Sequence, residues 1–121
     1  MKMMKKLIIL IGFLLVLAGF VSAEDIFDCQ IIDESGDYTL RRDINTDESR
    51  CIEIQTSDVF LNCGGHSIHS NSERLAGILA RDPNYNMLAN IRIQGCSISG
   101  WNNGIKFDEV EDSTISHSSF F

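Results

Sequence analysis

Cys51-Ile52-Glu53-Ile54, Asp58-Val59-Phe60-Leu61 and His66-Ser67-Ile68 decide the fold, because the same trio of short stretches returns twice. Gly77-Ile78-Leu79-Ala80, Asn90-Ile91-Arg92-Ile93 and Cys96-Ser97-Ile98 form a second set. Gly104-Ile105-Lys106-Phe107, Asp112-Ser113-Thr114-Ile115 and Ser118-Ser119-Phe120 form a third. Each stretch alternates apolar with polar residues, the period of a strand, and turn-forming residues separate them. From Ile93 to Ile115 and from Ile98 to Phe120 the spacing is 22 residues, whereas Leu61 to Ile93 is 32. The additional residues fall near 70–76 and 81–89, between strands, where a stack of repeats accepts insertions.

Strand geometry turns the repeat into an architecture. Each strand pairs in parallel with its counterpart one coil on, about 4.8 Å away, and alternate side chains point inward. The inward set is Ile52, Ile54, Val59, Leu61, Ile68, Ile78, Ala80, Ile91, Ile93, Ile98, Ile105, Phe107, Ile115 and Phe120, with Glu53, Arg92 and Lys106 outward. Phe60 and Leu79 break the alternation by facing out, and Ser113 takes the slot of Val59 and Ile91. Gly77 and Gly104 are expected at sharp turns with positive φ, a slot that Cys51 holds in the first set. Asp58, Asn90 and Asp112 make one column, and Ser67, Ser97 and Ser119 another, in which small polar side chains hydrogen-bond from coil to coil. The expected fold is all-β: a right-handed parallel β-helix (solenoid) of about three coils over residues 51–121. Residues 24–50 do not follow the repeat. Ser35-Gly36-Asp37 reads as a turn and Tyr38-Thr39-Leu40 as a short strand, so this stretch is taken as an N-terminal cap over the first coil.

Residues 1–23 read as a signal peptide. Lys2, Lys5 and Lys6 precede an unbroken run of 14 apolar residues and glycines, Leu7 to Phe20, and Val21-Ser22-Ala23 supplies a cleavage site. That run is short of the ~20 residues of a spanning helix, although a retained anchor is the other reading. The membrane is therefore an expected partner only through this segment. Beyond it lie all 17 acidic but only seven of the ten basic residues, a formal charge of −10 that excludes nucleic acid as an expected partner. Cys29, Cys51, Cys63 and Cys96 all lie in the exported part, where disulfides form and persist. No two are close enough for a paired-cysteine zinc site. Four cysteines allow three pairings. Cys29 with Cys51 would staple cap to coil, and Cys63 with Cys96 share a corner of adjacent coils; free buried thiols are the alternative.

The blocks Gly36-Asp37-Tyr38-Thr39-Leu40, Cys51-Ile52-Glu53-Ile54, Asp58 to Ile68 and Asn90 to Gly100 resemble the N-terminal part of secreted right-handed β-helix proteins. That group spans pectin-lyase-like folds, archaeal surface proteins and the periplasmic NosD-type copper-associated family. The matching residues are structural, so the likeness speaks to fold more than to function. In polysaccharide lyases of this fold, it implies an acidic calcium cluster and a basic residue on the outer face of one sheet. Asp58 and Asp112 are the candidate acids, and Lys106 or Arg92 the candidate bases. Asn90 interrupts the acids, and turn-stabilising Asx residues are the simpler reading of that column. His66, His69 and His117 are candidate copper or zinc ligands under the NosD-type likeness, against a plainer reading as surface or turn histidines. Trp101 with Asn102-Asn103-Gly104 reads as an aromatic platform for a sugar or, more simply, as a corner packed over the coil.

No catalytic, cofactor or metal residue is assigned, and no cofactor is expected. The expected product is an exported, extracytoplasmic module with a structural or binding role toward polysaccharide or a cell-surface protein. The rival is the N-terminal fragment of a carbohydrate-active lyase or hydrolase with its active site beyond residue 121. The final set leaves an apolar edge, so a longer parent protein or self-association through the open last coil is expected.

Overall fold

A computed structural model describes residues 24–121; the signal-peptide reading of residues 1–23 lies outside them. The described chain is all strand and turn. β1 (Glu24–Ile26) leads into a first turn of β2 (Gln30–Ile32), β3 (Gly36–Leu40) and β4 (Ile44–Thr46). The second turn is β5 (Arg50–Ile54), β6 (Val59–Asn62) and β7 (Ser67–Ser70). The third is β8 (Ala76–Ala80), β9 (Leu88–Ala89), β10 (Ile91–Gln94) and β11 (Ser97–Ser99). The fourth is β12 (Asn103–Phe107), β13 (Val110–Glu111), β14 (Thr114–Ser116) and β15 (Ser119–Phe120).

Like strands stack into three parallel sheets. Sheet A runs β1-β3-β6-β10-β14, sheet B β2-β5-β8-β12, and sheet C β4-β7-β11-β15, while β9 and β13 pair at the corner between B and A. This is a parallel β-solenoid of about four turns. The registers confirm the columns: Tyr38, Leu61, Ile93 and Ile115 stand in line, as do Ile44, Ile68, Ile98 and Phe120. One expectation is corrected. The stretch 24–50, set apart as a cap outside the repeat, contains a complete turn, because β2, β3 and β4 pair in register with β5, β6 and β7.

The core is a single apolar column. Ile52, Ile54, Leu61, Ile68, Ile78 and Ile91 have no solvent exposure, each worth about 1.5–3 kcal/mol of burial. Ile105 and Phe107 pack only partly against it, and Ile115 and Phe120 are 42% and 50% exposed despite pointing inward. They belong to the fourth turn, and among the described residues no strand lies on their far side. The other end is closed: Ile26, Ile32, Leu40 and Ile44 are at most 3% exposed. There β1 adds a strand beyond the first turn, and Arg41 Nε bonds Asp25 Oδ1 at 2.7 Å.

Three details depart from simple alternation. Leu79 is buried although it points outward, flanked in register by Glu53 and Lys106. Gly77 and Gly104 do not take positive φ as expected; they sit inside β8 and β12 because there is no room. A Cβ on Gly77 would meet Gly104 O and Ile98 Cγ2 at 2.9 Å, and one on Gly104 would meet Phe120 Cδ1 at 2.6 Å. Ser113 fits its slot by chemistry, since its Oγ accepts from Ile91 N (3.0 Å) and donates to Glu111 O (3.0 Å).

Both disulfides follow from the stacking. Cys29–Cys51 joins counterparts one turn apart, one position ahead of the Gln30–Ile52 pair, with Cα atoms 4.4 Å apart. Cys63–Cys96 ties the A–C corners of the second and third turns across 4.8 Å. Both its cysteines are buried.

Tyr38 offers a spectroscopic check on the first turn. It is buried and its hydroxyl donates to Glu34 O at 2.6 Å. Burial, followed by the neighbouring charges of Glu24, Glu34 and Asp33, pushes its ionisation above 10. In a Tyr85→Phe protein, where Tyr38 is the one remaining tyrosine, the midpoint of the phenolate absorbance is expected above the ordinary tyrosine value of 10. Because the folded value is raised, the associated stability is complete below pH 10 and is lost above it. An ordinary titration in the folded protein would contradict a buried Tyr38.

Candidate functional site

The outer face of sheet A gathers most of the chemistry. Asp37, Phe60, Arg92 and Thr114 stand in register on four successive turns, and Thr39, Asn62, Gln94 and Ser116 form a parallel polar row. The Arg92 guanidinium lies over the Phe60 ring, 4.5 Å from its centroid, a cation–π contact of about 0.5–1 kcal/mol at an exposed site. Two shallow depressions flank this pair. One, of about 260 Å³, is bounded by Asp37, Asp58, Asn90 and Arg92; the other, of about 240 Å³, by Asp37, Thr39, Asn62 and Arg92. The face thus offers an aromatic edge, one cation, two carboxylates and several amides and hydroxyls on rigid strands.

The Asx column borders the same face. Asp58, Asn90 and Asp112 have φ of 59°, 58° and 51°, the left-handed region that Asn and Asp enter more readily than other side chains. Asn90 Nδ2 donates to Asp58 Oδ1 at 2.9 Å. The column therefore turns the chain into sheet A, and Asp58 also faces the first depression beside Arg92. The other acid–base candidates do not converge there. Lys106 is on the outside of sheet B, in register with Leu79, and Asp112 lies in the column beyond Asn90, next to the fourth turn's strand in sheet A.

The histidines are dispersed. His66 Nδ1 is 3.2 Å from Asp43 Oδ1, His69 Nδ1 is 2.8 Å from Ser99 Oγ, and His117 turns the A–C corner of the fourth turn with φ 50°. Its counterparts one and two turns back are Gly95 and Gly65, both at positive φ, so conformation accounts for His117. Asp43 is held below the usual carboxylate range, chiefly by the Ser67 N–H donating to it and then by His66. Among the described residues no three His, Cys, Asp or Glu side chains form a group able to hold a metal ion. Trp101 packs at the corner between sheets C and B, its Nε1 donating to Ile68 O at 3.2 Å, so the indole is a structural prop there.

Sequence reasoning picked out Asp58 and Arg92 singly and missed what joins them. Asp37 lay in the stretch read as a cap, and Phe60 counted as a defect in the alternation. The signal was an outward aromatic one coil below an outward arginine.

Compared with family models, with curated proteins and with solved structures, the chain has no match in any of the three. The two disulfides point to an oxidising, extracytoplasmic environment.

Proposed function

We propose that this protein is an exported envelope or extracellular module that binds polysaccharide along the outer face of sheet A, the disulfide-stapled stack serving as a rigid support. The observation that carries the reading is the in-register row Asp37, Phe60 and Arg92 with its two polar depressions. A sugar ring presents an apolar C–H face and a rim of hydroxyls. Phe60 suits the first, while Asp37, Asp58, Asn62 and Asn90 suit the second by accepting and donating hydrogen bonds. Because the strands are fixed before binding, little ordering cost opposes association. The resemblance to secreted β-helix proteins and the four-cysteine pattern support the same setting.

Affinity electrophoresis through gels containing neutral and uronic-acid polysaccharides tests the proposal. At least one polymer is expected to retard the oxidised protein. Phe60→Ala or Arg92→Ala is expected to weaken that retardation about tenfold, near 1.4 kcal/mol, while Lys106→Ala on sheet B leaves it unchanged. Equal loss in the Lys106 variant, or no retardation by any polymer, contradicts the reading.

A further inference from the structure

We infer that the polymer taken by the outer face of sheet A is a neutral one, selected by its hydroxyls against uronic-acid chains; the inference rests on the reading of that face as a polysaccharide site. The charges of the face are unpaired and of mixed sign. The ion pairs among the described residues join Arg41 to Asp25, Arg50 to Glu53 and His66 to Asp43, and none takes up Asp37, Asp58 or Arg92. Arg92 instead lies over the Phe60 ring. Each depression is bounded by that guanidinium together with a carboxylate, Asp37 in both and Asp58 in the first. A sugar hydroxyl donates one hydrogen bond and accepts others, so it uses a carboxylate and a guanidinium together. A uronate carboxylate only accepts, so it uses Arg92 and must then sit near Asp37. The ammonium of an amino sugar only donates, and it meets Arg92 in the same depressions.

Distance and surroundings decide between the hydroxyl and the uronate. Asp37 and Arg92 are two strands apart in one register row, about 10 Å along the stack, which is roughly one Debye length at 0.1 M salt. A carboxylate held by Arg92 is therefore incompletely screened from Asp37. The flanks add to the repulsion. The B–A corner carries Asp33 and Glu34 in the first turn, Asp82 in the third and four acids between positions 108 and 112 in the fourth, against Arg81 alone. On β1, Glu24 adds a further carboxylate, while Asp25 is answered by Arg41. At the A–C corner Asp43 is paired with His66, and Arg42 is the remaining cation. An incoming polyanion thus meets a face of net negative sign, and like charges brought together across a contact oppose binding. A neutral chain meets the same donors and acceptors without that opposition.

Matched polymers test this by affinity electrophoresis of the disulfide-bonded protein: neutral glucans, mannans and galactans, each beside a derivative whose primary C6 hydroxyl has been oxidised to a carboxylate. At about 0.1 M salt, a neutral polymer that retards the protein is expected to bind at least tenfold more tightly than its oxidised derivative, and the gap should narrow toward about 1 M salt, where the Debye length is ~3 Å. Asp37→Asn with Asp58→Asn should cut the discrimination to about threefold or less, because the local repulsion is gone; asparagine suits the φ of 59° at position 58, and unchanged circular dichroism checks the fold. Glu48→Gln with Glu73→Gln removes the same formal charge from exposed positions at the C–B corner and should leave the discrimination at tenfold or more. Oxidised derivatives bound as tightly as their parents, discrimination unchanged in the Asp37, Asp58 variant, or equal loss in both double variants overturns the inference while leaving polysaccharide binding standing. No retardation by any polymer, neutral or oxidised, overturns that reading and this inference with it.

Discussion

Reducing both disulfides is expected to unfold the protein at 25 °C. Cys29–Cys51 and Cys63–Cys96 close separate loops of 22 and 33 residues, and chain-entropy arithmetic assigns about 3–4 kcal/mol to each. Their sum, about 7 kcal/mol, is comparable to the whole stability of a small domain, about 5–15 kcal/mol. The described part is expected at the low end of that range because the fourth turn's inward residues Ile115 and Phe120 are 42% and 50% exposed. Removing one bond at a time should show an order. The Cys63→Ala, Cys96→Ala pair should cost more than the Cys29→Ala, Cys51→Ala pair, because its loop is longer and both of its cysteines are buried, whereas Cys29 is only partly buried. Urea midpoints followed by circular dichroism and Trp101 fluorescence measure this. A fully reduced protein that loses less than about 1 kcal/mol would show that apolar packing alone holds the stack.

A pair of matched truncations should differ by more than any other comparison within the core. Ile93 and Ile115 are the same residue in the same column of sheet A, one turn apart and paired in register. Ile93 is 1% exposed, with Leu61 on one side and Ile115 on the other; Ile115 is 42% exposed. Ile93→Ala leaves a cavity that stacked strands cannot close, so a loss of about 3–4 kcal/mol is expected. Ile115→Ala removes side chain that is nearly half in water and opens no enclosed void, so about 1 kcal/mol is expected. Both are measured by urea unfolding followed by circular dichroism. Equal losses would mean that the fourth turn is covered or that the column is misregistered.

What could be read from the sequence followed the regularity of the repeat. Sets beginning at Cys51, Gly77 and Gly104 gave the parallel stack and most of its core, because inward Ile, Val and Leu recur at matched positions. The first turn escaped because its strands share few residues with the later ones: Gly36 falls in the Val59 column and Tyr38 in that of Leu61. One clue remained. Ile32 and Ile54 are paired at the same separation of 22 residues that links Cys29 to Cys51, and this equals the spacing of the last two sets. The glycines were placed at the right positions for the wrong reason, since close packing across the stack, not backbone sign, excludes a side chain at Gly77. The binding face was harder to see. Its members come from three turns and acquire meaning only through register, so Asp37, Phe60 and Arg92 look unrelated until β3, β6 and β10 are laid side by side.

Register is the central claim, and disulfide mapping tests it most directly. Digestion of the unreduced protein at both basic and acidic residues cuts after Glu53, which separates Cys51 from Cys63, and mass spectrometry then identifies the linked peptides. The stacked turns predict Cys29 with Cys51 and Cys63 with Cys96. Linkage of Cys29 to Cys63 or to Cys96 would place non-neighbouring positions in contact and contradict the four-turn stack.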